Sequence, residues 1–423
     1  MGRSRVTRRE HAALVGLASE RRPRLDAEQS LDELTGLVEA AGGQVMLRLV
    51  QERPRPDPAT FLGSGKLATL GAACEEAGID LVVFDHELTP AQTRQIEARL
   101  ERRIVDRTQV ILDIFARRAR TREGKLQVEL AQLQYLLPRL AGSGSALSRL
   151  GGGIGTRGPG ETKLETDRRR IRARIHTLGT AIEEVRQRRA QLRERRHRES
   201  VSTVALVGYT NAGKTTLFNA LTGAGALASD ALFVTLDPLV RKVRLPDNRE
   251  LLVSDTVGFI DRLPHALVAA FRATLEEVAD ADLVLHVIDA AAADRSRRIG
   301  AVQQVLAEVG AADVALVEIY NKCDLLTKDE CRRLEVQHPD AICISARGGD
   351  GLAELTRRIT WRLALDLQPF SFTFDASDPG IEACVARIYR LARVTSHEAR
   401  HGRVAISGEV PRRLLARIGP TPG

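Results

Sequence analysis

Gly208-Tyr-Thr-Asn-Ala-Gly-Lys-Thr215 follows the apolar run Val204-Ala-Leu-Val207. A buried strand feeding a glycine-rich turn that opens a helix is the setting of a phosphate-binding loop. Backbone N–H groups at a helix start are unpaired and sit at the positive end of the dipole, so they converge on phosphate oxygens. Gly208 and Gly213 allow the main chain torsions closed to other residues. Lys214 supplies a point charge for the outer phosphates, and the Thr215 hydroxyl suits Mg²⁺. Tyr209, Thr210, Asn211, Ala212 and Thr216 complete the loop and its first helical turn.

Four further segments specify the chemistry. Asp255-Thr-Val-Gly258 follows the apolar Leu251-Leu-Val253. There Asp255 can hold Mg²⁺ through water, and the Gly258 N–H can meet a terminal phosphate. Thr235, within Phe233-Val234-Thr235-Leu236-Asp237-Pro238, lies between the two motifs, where a switch threonine closes over Mg²⁺. Asn321-Lys322-Cys323-Asp324 ends an apolar strand. A carboxylate at 324 accepts two hydrogen bonds from N1 and N2 of guanine, and adenine cannot match that pattern. A buried carboxylate facing the wrong base would be left unpaired, which makes discrimination large. Ser345-Ala346-Arg347 fits the last guanine contact. Singly, Asp324 reads as a turn residue and Ser345 as a helix N-cap; five motifs in order read as a guanine-nucleotide domain. Lys214, Thr235 and Gly258 are the expected catalytic groups, and Thr215, Thr235 and Asp255 the expected metal set. Thr256 and Val257 complete the second switch motif as expected nucleotide neighbours.

One position departs from the small Ras-like switches, which place a water-orienting glutamine after the glycine of Asp-x-x-Gly. Here Phe259 and Ile260 stand there, and neither can orient water. The reading is slow unassisted hydrolysis, with water positioned by backbone, by a bound cation or by a partner. Asn211 stands where potassium-activated relatives of this superclass carry a K⁺-ligating asparagine. Its alternative role is to stabilise the loop by local hydrogen bonds.

The 423 residues suffice for two or three domains, and no stretch approaches the length of a membrane span. The basic amino terminus lacks the apolar stretch of a signal peptide. Five cysteines with no Cys-x-x-Cys pair indicate neither zinc nor a disulfide frame. The expectation is a soluble, cytoplasmic monomer. Residues 168–198 carry twelve arginines against three glutamates, a net +9 that exceeds the +8 of the whole chain. Aromatic residues are only 4%, which argues against base-stacking platforms and for phosphate contact with folded RNA.

The expected fold is α/β: a P-loop GTPase domain with a mostly parallel sheet, preceded by an N-terminal α/β domain with a helical hairpin and followed by a small C-terminal α/β module. The boundaries expected are a basic tail at 1–24, the N-terminal domain at 25–106, an antiparallel helical hairpin at 107–200, the GTPase domain at 201–367 and the C-terminal module at 368–423. Heptad-spaced Leu126, Leu130, Leu133, Leu137 and Leu140 form one seam. Ile171, Ile175, Leu178, Ile182, Val185 and Leu192 form the other, interrupted by Arg189. Between them, residues 142–160 hold eight glycines together with Arg149 and Arg157, a tip expected to order on RNA. Pro138 is expected to kink or end the first arm. Gly63-Ser-Gly-Lys66 hints at a second nucleotide site. However, Thr60 replaces the first glycine of a phosphate loop and Leu67 its metal-binding hydroxyl, so a turn is expected, with an adenine-nucleotide site as the alternative. His286, inside an apolar strand, reads as a packed core histidine.

Gly151-Gly-Gly-Ile-Gly-Thr-Arg-Gly-Pro-Gly-Glu-Thr-Lys-Leu-Glu165 and Asp167-Arg-Arg-Arg-Ile-Arg172 resemble the glycine-rich signature of the HflX family. Gly208–Thr215, Phe233–Pro238 and Asp255-Thr-Val-Gly-Phe-Ile260 resemble its nucleotide motifs. The resemblance implies a GTPase that binds the large ribosomal subunit and its RNA, is stimulated by ribosomes, and splits or rescues stalled ribosomes under stress. It also implies ATP binding by the N-terminal domain, which the failed pattern at 60–67 does not support. Rival readings are a GTPase of ribosome assembly or tRNA modification, and an RNA-binding factor with incidental turnover. The short tail after residue 369 argues against the former.

Overall fold

The computed structural model describes residues 9–20, 22–140, 163–198, 201–225, 232–233, 235–236, 239–245, 250–261, 277–365, 367–377, 380–400 and 402–418. The glycine-rich tip at 142–160, Val234 and Asp237 lie outside them.

The N-terminal sheet begins earlier than the sequence reading placed it. β1 (His11–Ala18), assigned to the basic tail, is an interior strand. Its run His-Ala-Ala-Leu-Val-Gly-Leu-Ala is apolar without alternation, as expected of a parallel strand covered on both faces. β2 (Gln44–Glu52), β3 (Leu81–Phe84) and β4 (Arg103–Asp106) join it in the parallel order β2-β1-β3-β4. α1 (Arg24–Ala40) buries Leu31, Leu34, Leu37 and Val38 on one face of this sheet. α2 (Ser64–Glu76) and α3 (Pro90–Leu100) pack with Phe84 and Ile96 in a separate cluster. Thr89 closes a capping box with Gln92 at the start of α3, with Pro90 opening the helix.

The hairpin also starts later than expected. α4 (Arg107–Arg118), counted in the hairpin from sequence, buries Val110, Ile111, Ile114 and Phe115 in the same cluster as α1, so it belongs to the N-terminal domain. The hairpin proper is α5 (Arg122–Leu140) against α6 (Lys163–Arg198). Their antiparallel register shows in two ion pairs, Glu129–Arg174 at 2.7 Å and Glu123–Arg189 at 2.7 Å. Pro138 lies within α5, which continues to Leu140. The opposite face of α5, with Val128, Ala131 and Tyr135, is buried in the N-terminal domain's core. The hairpin is thereby seated on that domain.

β5 (Ser202–Gly208), α7 (Lys214–Thr222), β6 (Leu239–Arg244), β7 (Glu250–Asp255), β8 (Leu283–Asp289), α8 (Arg295–Glu308), β9 (Leu316–Asn321), α9 (Lys328–Gln337), β10 (Ile342–Cys343) and α10 (Leu352–Arg362) form the next domain. Its six-stranded sheet runs β10-β9-β8-β5-β7-β6, with β6 alone antiparallel, which fits the mostly parallel sheet expected. His286 is a buried core residue of β8, and burial beside Lys214 lowers its pKa to about 4. Last come β11 (Leu367–Asp375), α11 (Ile381–Leu391), β12 (Arg393–Arg400), β13 (Arg403–Pro411) and α12 (Leu415–Ile418). The antiparallel order is β11-β13-β12 around Phe370, Ile388, Ile406 and Val410. The sequence analysis placed a small α/β module here without assigning its strands. Among the described residues no helix is long and apolar enough to cross a membrane.

Candidate nucleotide site

The carboxyl ends of β5, β7 and β9 meet at a cleft of about 450 Å³, the place where an open α/β sheet presents its loops to ligands. Two glycines shape the β5–α7 turn. Gly208 has φ +151, and a Cβ there would lie 2.2 Å from the Val287 carbonyl oxygen. Gly213 has φ +91, and a Cβ would lie 2.2 Å from the Asn321 amide. Neither position tolerates a side chain.

Lys214 opens α7 and is buried, with its Nζ donating to the Gly208 and Tyr209 carbonyls at 3.0 and 2.9 Å. Burial lowers its pKa to about 8, against the opposing charge of Asp255. Bound phosphate oxygens would restore the charged form. The Thr215 hydroxyl lies 2.8 Å from the Thr235 hydroxyl and 2.8 Å from Asp255 Oδ2, and Thr235 lies 3.1 Å from the same oxygen. Asp255 is buried and its Oδ1 has no partner among the described residues. Burial raises its pKa, with Lys214 and the two threonines acting the other way. Three hard oxygen ligands on three segments, one of them an under-satisfied carboxylate, suit Mg²⁺. Gly258 closes this end; a Cβ on it would lie 2.9 Å from the Thr210 methyl and 3.0 Å from Lys214 Nζ.

At the base-recognition end, Asn321 is a buried tie rather than a free contact. Its amide donates to the Ala212 carbonyl at 2.8 Å and its oxygen accepts from the Ala346 N–H at 2.9 Å. The phosphate loop and the 345–347 segment are thereby held together. Lys322, at φ +66, pairs with Asp289 at 2.7 Å. Asp324 and Arg347 are exposed and line the cleft with Thr216 and Ala346. Ser345 is buried, and its hydroxyl accepts from the Gly348 N–H at 2.9 Å.

Several expected neighbours turn their side chains elsewhere. The Thr256 hydroxyl donates to the Leu206 carbonyl at 2.7 Å and ties β7 to β5. Val257 and Leu236 are buried in the core, and Cys323 joins a small apolar cluster with Tyr320 and Leu334. Phe259 is also buried, and its backbone pairs with Gly208 and Thr210 at 3.1 and 2.7 Å. This accords with its inability to orient water. Asn211 is exposed, in the left-handed region at φ +59.

Tyr209 was expected at the nucleotide but points into the interface with the N-terminal domain. Its hydroxyl donates to the Glu33 carboxylate of α1 and accepts from the Asp261 N–H at 2.7 Å. The buried Arg107 of α4 pairs with Glu33 and with Asp85 at 2.9 Å, and donates to the Asp261 carbonyl at 3.2 Å. The sequence reading missed Glu33, Arg107 and Asp261. Nothing local marks them, because Glu33 and Tyr209 are 176 positions apart.

The fold and this site define a P-loop GTPase built onto a separate N-terminal α/β domain and hairpin. A family model described as "50S ribosome-binding GTPase" matches residues 203–322, and models described as "GTP-binding GTPase N-terminal" and "GTP-binding GTPase Middle Region" match 28–116 and 118–196. A relative named GTPase HflX from Caldanaerobacter subterraneus is 48% identical over 86% of this chain and 83% of its own length. GTPase HflX of Escherichia coli is 48% identical over 79% of each. A solved structure described as a complex of SsGBP with GDP aligns at 25% identity and TM-score 0.48, covering 83% of this chain and 98% of its own. The chain belongs to the HflX family of GTPases, and GTP hydrolysis is its activity.

Proposed function

We propose that the chain hydrolyses GTP at the 208–215 site with Mg²⁺ held by Thr215, Thr235 and Asp255, while docked through its basic hairpin on the large ribosomal subunit. Lys214 and the loop N–H groups bind the phosphates, Gly258 meets the terminal one, and Asp324 reads guanine. When bound, Mg²⁺ offsets the charge that develops on the transferred phosphoryl group. Phe259 leaves water unoriented, so subunit contact completes the site. Splitting or rescue of stalled ribosomes follows from hydrolysis-linked release, and K⁺ at Asn211 is a second means of stimulation. The protein acts as a cytoplasmic monomer.

One observation carries this reading. Arg189, the cation that interrupts the apolar seam, pairs with Glu123 at 2.7 Å and with Glu277 at 3.8 Å, just before β8. The arginine-rich arm thus contacts the GTPase domain just ahead of β8. Binding through seven or more arginine–phosphate contacts falls ~10³-fold or more over a modest rise in salt. GTP turnover measured against purified subunits and whole ribosomes tests the scheme: stimulation by large subunits is expected, and unaltered turnover sinks it. Matched NaCl and KCl assays test the cation, with equal rates ending that role.

A further inference from the structure

Both switch segments are held by the N-terminal domain rather than by the GTPase domain alone. In the first, Phe233 is buried at φ +57 and stacks edge-on against Phe115 of α4, with ring centroids 4.7 Å apart. Leu232 sits beside α1, where a Cβ on Gly36 would come within 3.2 Å of it. In the second, Asp261 is gripped on both sides of its peptide unit. Its N–H donates to Tyr209 at 2.7 Å and its carbonyl accepts from Arg107 at 3.2 Å. Thr235 lies two residues from the first grip, and Gly258 three from the second. The grips coincide with the close approach of Thr235 to Thr215 and Asp255 described above.

We propose that Tyr209, Glu33 and Phe115 are positioning residues through which the N-terminal domain holds both switch segments in the arrangement that receives Mg²⁺ and the terminal phosphate. Burial and the Glu33 carboxylate push the Tyr209 phenol far up, so it stays protonated and donates to Glu33 at every working pH. GDP lacks the phosphate that Gly258 would meet, and it needs no closed switch. Holding the switches ready therefore favours GTP over GDP, because the ordering cost is met before the nucleotide arrives. By reciprocity, GTP tightens the contact between the two domains and GDP does not. The inference rests on the roles given above to Thr235 and Gly258.

The test uses the full chain and fluorescent GDP and a non-hydrolysable GTP analogue, titrated in Mg²⁺. Tyr209→Phe removes one oxygen, and with it the bonds to Glu33 and from the Asp261 N–H, and is expected to weaken the triphosphate about tenfold, with GDP within about twofold. Phe115→Leu should act in the same sense. Tyr209→Phe with Glu33→Gln should cost less than the two single effects summed, since both act through one link. Equal loss for both nucleotides, no change, or tighter triphosphate binding overturns the proposal. Thr235→Ala separates the two layers. If it leaves triphosphate binding intact, the underlying site reading fails. If it weakens binding while Tyr209→Phe does not, only the positioning role fails. Should Phe115→Leu unfold the chain, Tyr209→Phe still decides.

Discussion

Two Gly-containing turns in this chain end in lysine and open helices, and they have opposite anion accounts. At residues 57–66 the turn carries its own acid: Asp57 Oδ1 accepts from the Ala59 and Thr60 N–H groups at 2.9 and 3.0 Å. Those backbone bonds hold its pKa below the usual carboxylate range, against the effect of burial. Thr60 turns its hydroxyl to the Leu62 carbonyl at 2.8 Å, and Gly63 has φ −65, open to any residue. At 208–215 there is no acidic residue. Two glycines there occupy strained torsions, and a lysine is buried instead. The first turn is closed by the chain. The second is shaped for an anion from outside. A shared Gly-Lys pair at the start of a helix says little until charge and torsion are counted.

The sharpest way to break that contrast is to remove each lysine. Lys214→Ala should weaken GTP and GDP by more than about 100-fold, the scale of a charge-assisted contact to phosphate in a buried setting. Lys66→Ala should leave both unchanged by isothermal titration; a loss there would revive a second nucleotide site. Adding a methyl to the glycines comes next. Gly213→Ala meets Asn321 at a torsion alanine avoids, and should cut nucleotide binding at least about tenfold and lower the melting temperature. Gly65→Ala has open space and sits inside a helix, so thermal melts should show it stabilising by about 0.5–1 kcal/mol.

The pH dependence is a smaller effect. Lys214 titrates at about 8 in the free protein and higher with phosphate bound, so binding takes up a proton above that pH. GDP affinity should fall about fivefold between pH 8 and 9, from the linkage of protonation to binding. A flat profile would show that the lysine keeps its charge without phosphate. Smallest is Asp57→Ala, which removes the first turn's internal acceptor and should cost about 1 kcal/mol of stability by urea melts. Because the folded pKa of Asp57 is depressed, its contribution is present above the ordinary carboxylate pKa and is lost as pH falls through the folded value.

The nucleotide end was legible because phosphate, metal and base each demand a short local pattern. Each motif follows its own strand, and parallel packing brings the strand ends together. Less visible were features whose partners lie far off in sequence. The Tyr209 phenol occupies a position where loop chemistry asks for nothing, and its role depends on Glu33 and Arg107 in another domain. β1 was missed because arginines before and after it made the region look like a tail, although its eight residues are a continuous apolar run. β12 was missed for the opposite reason. Arg393-Val-Thr-Ser-His-Glu-Ala-Arg400 is an edge strand, mostly exposed, with almost no apolar alternation to betray it. Arg189 was noticed as a fault in the seam, and its partners at Glu123 and Glu277 give the fault a purpose.

Leu31 and Phe115 from the N-terminal domain lie in one continuous apolar cluster with Phe233, Phe259, Val278 and Val302 from the GTPase domain. During synthesis the residues before 140 emerge first, and the apolar surfaces of α1 and α4 meant for Phe233 and Phe259 have no cover until the later domain is made. Over that interval the N-terminal half presents apolar surface, the condition in which nascent chains aggregate. In the finished chain the same shared interior should make the two domains melt as one unit; a single calorimetric transition is the expected result, and two separate ones would show that it does not couple them.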